Sequence, residues 1–158
     1  MLCAKHLGAR HVISTDGDEA VVDYLKENLL LNDLNDEKLL MAKTLWWGDE
    51  LEGTWFEQAC SSEPFDVVVG ADITYDKVAI SALVKTLRQL FQMRPGLLVI
   101  IAGVIRNAET FQAFQDECAL SKFQFEEITF AAKPMREQTA LFYAAAVPIK
   151  ILSITSPG

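Results

Sequence analysis

The sequence predicts an α/β domain built as an open, mostly parallel sheet with helices on both faces. Three observations carry that prediction. Short β-branched or apolar runs alternate along the chain with segments of helical periodicity. Turn-forming residues separate them. The last two strand candidates have too little sequence between them for a crossover helix, so they should pair antiparallel at or near one edge. A length of 158 residues, 51% of them apolar, suits one domain spanning 1–158 with a buried core. No internal repeat or low-complexity linker divides it.

Each element has its own reason. Residues 1–7 predict the tail of a helix, with Gly8 at its C-cap position. His11-Val12-Ile13-Ser14-Thr15 is a short β-branched run closed by Asp16-Gly17-Asp18. Over residues 18–31, Val21, Val22, Leu25 and Leu29 follow helical spacing. Residues 39–45 form a second strand, closed by Trp46-Trp47-Gly48-Asp49, and a polar loop containing Trp55-Phe56 runs on to Pro64. Residues 65–71 are a third strand, apolar apart from Asp66.

Helical spacing returns over 77–93 through Ile80, Leu83, Val84, Leu87, Leu90 and Phe91, and Arg94-Pro95-Gly96 breaks it. Residues 97–104 are the most apolar strand, expected to be buried on both faces. Asn107 is placed to cap a helix carrying Phe111, Phe114 and Cys118 on one side. Residues 123–130 alternate as a strand with one face to solvent. A final β candidate, 141–154, is interrupted by Pro148, which places the strand proper at 149–154.

Composition narrows the partners. Lys plus Arg is 14 against 22 for Asp plus Glu, a net charge of -8. Such a surface repels phosphate backbones and disfavours nucleic acid as the main partner. The apolar run at 97–104 is far short of the roughly 20 residues of a membrane span, so no membrane partner is expected. No secretory signal opens the sequence. Cys3, Cys60 and Cys118 are odd in number and far apart, without disulfide or zinc spacing, which points to a cytoplasmic location. With only His6 and His11, no metal site is expected.

In a sheet of this kind ligands lie outside the carboxyl ends of the strands. That directs attention to Asp16, the Trp46-Trp47-Gly48 turn, Ala71-Asp72 with Tyr75, and Arg106-Asn107. Asp16 could accept hydrogen bonds from ribose hydroxyls, or could cap its helix with Glu19 completing a capping box. If Asp18 is the cap instead, Asp16 is released for a ligand. Trp46 and Trp47 are neighbours on an extended segment and point to opposite faces, so one can be core while the other offers a flat wall to a purine. Residues 65–76 are the strongest local pattern: a buried strand runs into Asp72, and Tyr75 follows three residues later. Asp72 could hold a cationic amine, and Tyr75 could give it a phenol and a cation–π face. Helix capping accounts for Asp76 and leaves Asp72 without a structural task. No Gly-x-Ser-x-Gly elbow is present, Cys118 falls on an apolar helix face, and Lys133, Arg136 and Glu137 near Pro134 form a polar loop, solvated or against a partner.

Taken together, Thr15-Asp16, Leu45-Trp46-Trp47-Gly48 and Gly70-Ala71-Asp72-Ile73-Thr74-Tyr75 resemble the Rossmann-like, seven-β-strand methyltransferases with a D-x-x-Y motif. These are S-adenosylmethionine-dependent enzymes, many of which methylate lysines on specific proteins. Residues 14–18, 105–111, 137–139 and 148–151 look most like the fungal members of the elongation factor 2 lysine methyltransferase group. The resemblance covers essentially the whole chain. It implies S-adenosylmethionine as cofactor and a protein substrate, elongation factor 2 first. It also implies that Asp16 takes the ribose, Trp47 the adenine, that Ala71 borders the cofactor, and that Asp72 and Tyr75 line the lysine channel. One departure stands out. The E/D-x-G-x-G loop after the family's first strand is absent, and Met1 falls within the helix that follows it. The expectation is therefore the C-terminal portion of a class I methyltransferase domain, lacking a strand between those ending at Asp16 and Ala71. Other readings are a homodimer pairing through that gap, an inactive interaction module, or a small-molecule N-methyltransferase.

Overall fold

Strands and helices alternate through most of the chain. The structure, a computed structural model, describes residues 8–34, 40–62, 64–129 and 149–156. The expected helix at 1–7, the polar loop at 133–137 and the β candidate before residue 149 lie outside those residues. The chain divides into two compact units, Met1–Trp47 and Gly48–Gly158.

In the first unit, β1 (Val12–Asp16) pairs in parallel with β2 (Leu40–Thr44), in a register that sets Val12 opposite Leu40 and Asp16 opposite Thr44. The helix α1 (Glu19–Leu31) connects them. Asp18 is its N-cap, with a side-chain oxygen accepting the Ala20 N–H at 2.8 Å. The helix ends on Asp33 at φ +53°, and the Leu34 N–H returns to the Leu29 carbonyl at 2.8 Å. Val22, Leu29, Leu34, Leu40 and Ala42 form the core of this unit, with Val12 and Leu25 packed on it. Val21, expected in that core, is exposed.

The second unit is larger. Its sheet runs β3 (Val67–Ala71), β4 (Leu98–Val104), β6 (Ile149–Thr155), β5 (Gln124–Glu127). The β3–β4 pair is parallel, with Val67 opposite Leu98 and Ala71 opposite Ala102. The closing pair β5–β6 is antiparallel at one edge, as expected, although residues 128–148 separate the two strands, and β6 also runs antiparallel to β4. One expectation is corrected here. β4 is buried on one face only: Val99 and Ile101 are buried, whereas Leu98, Ile100, Ala102 and Val104 are half-buried.

Helix α3 (Ile80–Met93) buries Ile80, Leu83, Val84, Leu87, Leu90 and Phe91 along one face, the residues its periodicity singled out. Helix α4 (Ala108–Leu120) is capped by Asn107, whose side chain accepts from the Glu109 and Thr110 amides, and buries Phe111, Phe114 and Cys118. The stretch expected as a loop before Pro64 contains a helix, α2 (Trp55–Ser62). Thr54 Oγ1 accepts the Phe56 amide at its start, and Glu57 accepts the Gly53 amide. Phe56 is its only buried residue and packs against Phe65 at a centroid distance of 5.7 Å. One apolar anchor in two turns leaves no periodicity to detect.

Candidate active site

The carboxyl ends of β1 and β2 lie side by side because the ladder is parallel, and the Leu45 N–H extends it by donating to the Asp16 carbonyl at 2.9 Å. Asp16 and the Trp46-Trp47 pair therefore leave the sheet together. The Asp16 side chain is exposed, and its Oδ1 accepts the Asp18 N–H at 2.9 Å, so Asp18 caps the helix while Asp16 braces the turn before it. The two indoles separate as adjacent extended residues do: Trp46 is 62% exposed and Trp47 is half-buried. Trp46 lies against Gly17, where an added Cβ would meet its ring at 3.2 Å. An exposed carboxylate beside indole rings at a parallel strand end suits the ribose and base of a nucleoside cofactor.

The glycine after Trp47 has a definite reason. Gly48 sits at φ +88°, and an added Cβ would lie 3.1 Å from the Ala82 Cβ on α3. Helix α3 also holds the following turn by side chains. Thr86 Oγ1 accepts the Gly48 N–H at 2.8 Å, and Lys85 Nζ donates to the Gly48 carbonyl and to Glu50, each at 2.7 Å. Gln89 donates to the Asp49 carbonyl and accepts the Leu51 amide.

The loop after β3 is held by both backbone and side-chain bonds. Ala71 ends the strand, and the Asp72 N–H continues the ladder to the Ala102 carbonyl at 2.7 Å. The backbone then turns through φ +57° at Asp72, a left-handed conformation that costs most L-residues roughly 1–2 kcal/mol and that aspartate and asparagine tolerate best. Ile73 and Thr74 point inward. A Cβ on Gly70 would collide with Ile73 and with Ile101, and one on Gly103 would lie 3.3 Å from the Thr74 hydroxyl, itself buried. These two anchors leave Tyr75 outside, 71% exposed.

Asp72 does have a structural task, contrary to expectation. Its Oδ1 accepts the Val104 N–H at 3.1 Å, and its Oδ2 accepts from Arg106 Nη2 at 2.8 Å, so the carboxylate ties the end of β3 to the end of β4. Asp76 is not the cap of α3. Its carboxylate accepts the Val78 N–H at 2.9 Å in a turn that precedes the helix, whose first flanking residue is Ala79. Asp16 and Trp47 belong to the first unit, and Ala71, Asp72 and Tyr75 to the second, where the latter three share one loop. Ile73 and Thr74 complete that loop, and Arg106 reaches it from beyond the end of β4. The glycines opposite them, Gly70 and Gly103, lie inside strands, where a missing side chain often marks a close approach. Two thiols stand apart from these groups: burial pushes Cys60 up from 9.0 to about 11, and burial with neighbouring Glu117 pushes Cys118 to about 12.

Solved structures place the architecture in a class. The human methyltransferase 10 domain containing protein matches 98% of this chain over 64% of its own, at a TM-score of 0.54 and 14% identity. The delta-N METTL16 MTase domain matches 98% over 65%, at 0.52 and 12%. At these identities the likeness shows the fold alone, the Rossmann-like α/β fold of methyltransferases. The chain belongs to the lysine methyltransferase family, whose profile matches residues 1–117. Among curated relatives, protein-lysine N-methyltransferase EFM3 of Chaetomium thermophilum is 41% identical over 98% of this chain and 46% of its own length. EFM3 of Saccharomyces cerevisiae is 31% identical over 89% and 41%, and human protein-lysine N-methyltransferase EEF2KMT 30% identical over 92% and 45%. The chain thus spans under half the length of each of these relatives.

Proposed function

We propose that the protein is a cytoplasmic, fungal protein-lysine N-methyltransferase that uses S-adenosylmethionine, with residues 1–158 forming the C-terminal portion of one class I domain. The observation that carries this reading is the loop after β3, where Asp72 is fixed at a strand end and Tyr75 is held out to solvent. The names of the EFM3 and EEF2KMT relatives support a protein substrate, and EEF2KMT makes elongation factor 2 the one to try first.

The cofactor supplies an activated methyl group when bound. Asp16 would hold its ribose, Trp47 its adenine, and the backbone at Ala71 would border it. Asp72 orients the incoming lysine amine, and Tyr75 presents a phenol and an aromatic face to it. Only the deprotonated amine has the lone pair that attacks. Most of the rate enhancement comes from alignment of the reacting atoms.

Calorimetric titration of the folded chain with S-adenosylmethionine and its demethylated product tests this reading. Saturable micromolar binding is expected, weakened about tenfold in Asp16→Asn by the loss of a charge-assisted hydrogen bond. Absence of binding by a demonstrably folded chain favours the second reading, a methyltransferase fold used as an interaction module.

A further inference from the structure

We infer that Arg106 is a specificity-determining residue, holding on Asp72 the place that a substrate amine takes. The inference rests on the reading of Asp72 as the group that receives the lysine. Both oxygens of its carboxylate are engaged, and the two bonds differ in kind. The Val104 N–H that reaches Oδ1 belongs to the backbone of β4 and stays as long as the strand does. Arg106 lies beyond the strand, reaches Oδ2 through a single nitrogen, and has a side chain 66% exposed against 43% for Asp72. An exposed ion pair with one contact is weak and readily exchanged.

The Arg106 backbone is fixed even so, because its N–H donates to the Val104 carbonyl at 2.9 Å. A displaced guanidinium therefore stays tethered beside the carboxylate. An amine arriving at Asp72 replaces one cation with another, while the Val104 bond keeps the carboxylate in place. Arg106 competes at the high effective concentration of a tethered group. A free small amine lacks that advantage, whereas a lysine on a docked protein has its own. Arg106 thus raises the threshold at Asp72 for every amine, and an amine concentrated there by the docking of its own protein is the one that crosses it.

The test follows the ¹⁵N–¹H resonance of Val104 while n-butylammonium chloride is titrated at constant ionic strength into the wild-type chain, Arg106→Gln, Arg106→Lys and Asp72→Asn. The expected result is a saturable shift in Arg106→Gln at about two- to fivefold lower concentration than in wild type, the range of an exposed ion pair. Arg106→Lys should return the midpoint to wild type, and Asp72→Asn should show no shift. Equal midpoints in wild type and Arg106→Gln, a shift that persists in Asp72→Asn, or no shift in any protein overturns the inference. With elongation factor 2 as substrate, the Arg106→Gln change should fall on KM rather than kcat, with rescue by Arg106→Lys. Failure to bind S-adenosylmethionine defeats the methyltransferase reading and leaves the butylammonium result standing. Failure of the cation exchange defeats the inference and leaves cofactor binding untouched.

Discussion

At the end of β1, Asp16 turns its carboxylate back onto the amide of Asp18, two residues along the chain. At the end of β3, Asp72 sends its carboxylate across to Val104 and Arg106, more than thirty residues away. Both aspartates close a parallel strand, yet one belongs to a local turn and the other to a tertiary clasp. The units around them differ in the same way. Among the described residues, the first is a two-stranded sheet and one helix over a small core, with caps and turns formed by near neighbours. The second shows four strands among the described residues, side chains from α3 reach a loop distant in sequence, and the Asp72 side chain reaches the backbone of β4. A local turn re-forms whenever its few residues meet, whereas a clasp exists only once the whole sheet is built.

The largest expected effect sharpens that contrast at Asp72. Asp72→Asn keeps a side chain that tolerates φ +57° and an oxygen for the Val104 amide, and it removes the charge. Methyl transfer to elongation factor 2 should fall by about 100-fold, with S-adenosylmethionine affinity unchanged by calorimetry. Equal turnover in the two proteins would remove Asp72 from the mechanism and reduce its clasp to architecture.

A smaller effect is expected at the local turn. Asp18→Ala removes the side-chain acceptor of the Ala20 amide and should cost about 1 kcal/mol. Because the bonds there are local, faster amide hydrogen exchange should appear in α1 and β1 and leave β3, β4 and β6 protected. Exchange that rises equally in both units would break the comparison.

An effect that vanishes near neutral pH and grows only above about pH 9 concerns the thiols, and it belongs to the second unit. Cys60 and Cys118 are raised in the folded chain from 9.0 to about 11 and about 12, because burial disfavours the thiolate. The folded state therefore holds those protons more tightly than the unfolded state. Their contribution to stability is complete below about pH 9 and is lost as pH rises from there through 11 and 12. Urea midpoints measured from pH 8 upward should begin to fall near pH 9, less steeply in Cys118→Ala once its own cavity cost is subtracted.

The contrast between local and distant bonding also marks what was legible in the sequence. The cap at Asn107 was readable, and that at Asp18 was one of two candidates beside Asp16, because an N-cap bonds two or three residues ahead. The apolar faces of α3 and α4 were readable because their spacing is regular over thirteen or fourteen residues. Helix α2, with Phe56 alone buried, had no period to betray it. The division of the described strands into two sheets is a matter of pairing between distant segments, which no local pattern encodes. At the site, the positions of Asp72 and Tyr75 followed from the strand ending at Ala71. The bonds of Asp72 did not, because their partners lie on another strand and beyond its end. Gly70 and Gly103 were the available hint, two strand glycines whose missing side chains make room for Ile73 and Thr74.

The strand that delivers Asp72 has a further consequence, for how the protein behaves in bulk solution. β3 is the edge of its sheet among the described residues, and Val67 and Val69 stand 47% and 72% exposed along it. An uncharged, β-branched edge is a template on which another extended chain can pair. The charged guard nearest to it is Asp66, tied to Arg94 at 3.0 Å just before the strand begins. Among the described residues, this is the edge on which a further extended strand, from this chain or another copy, would pair.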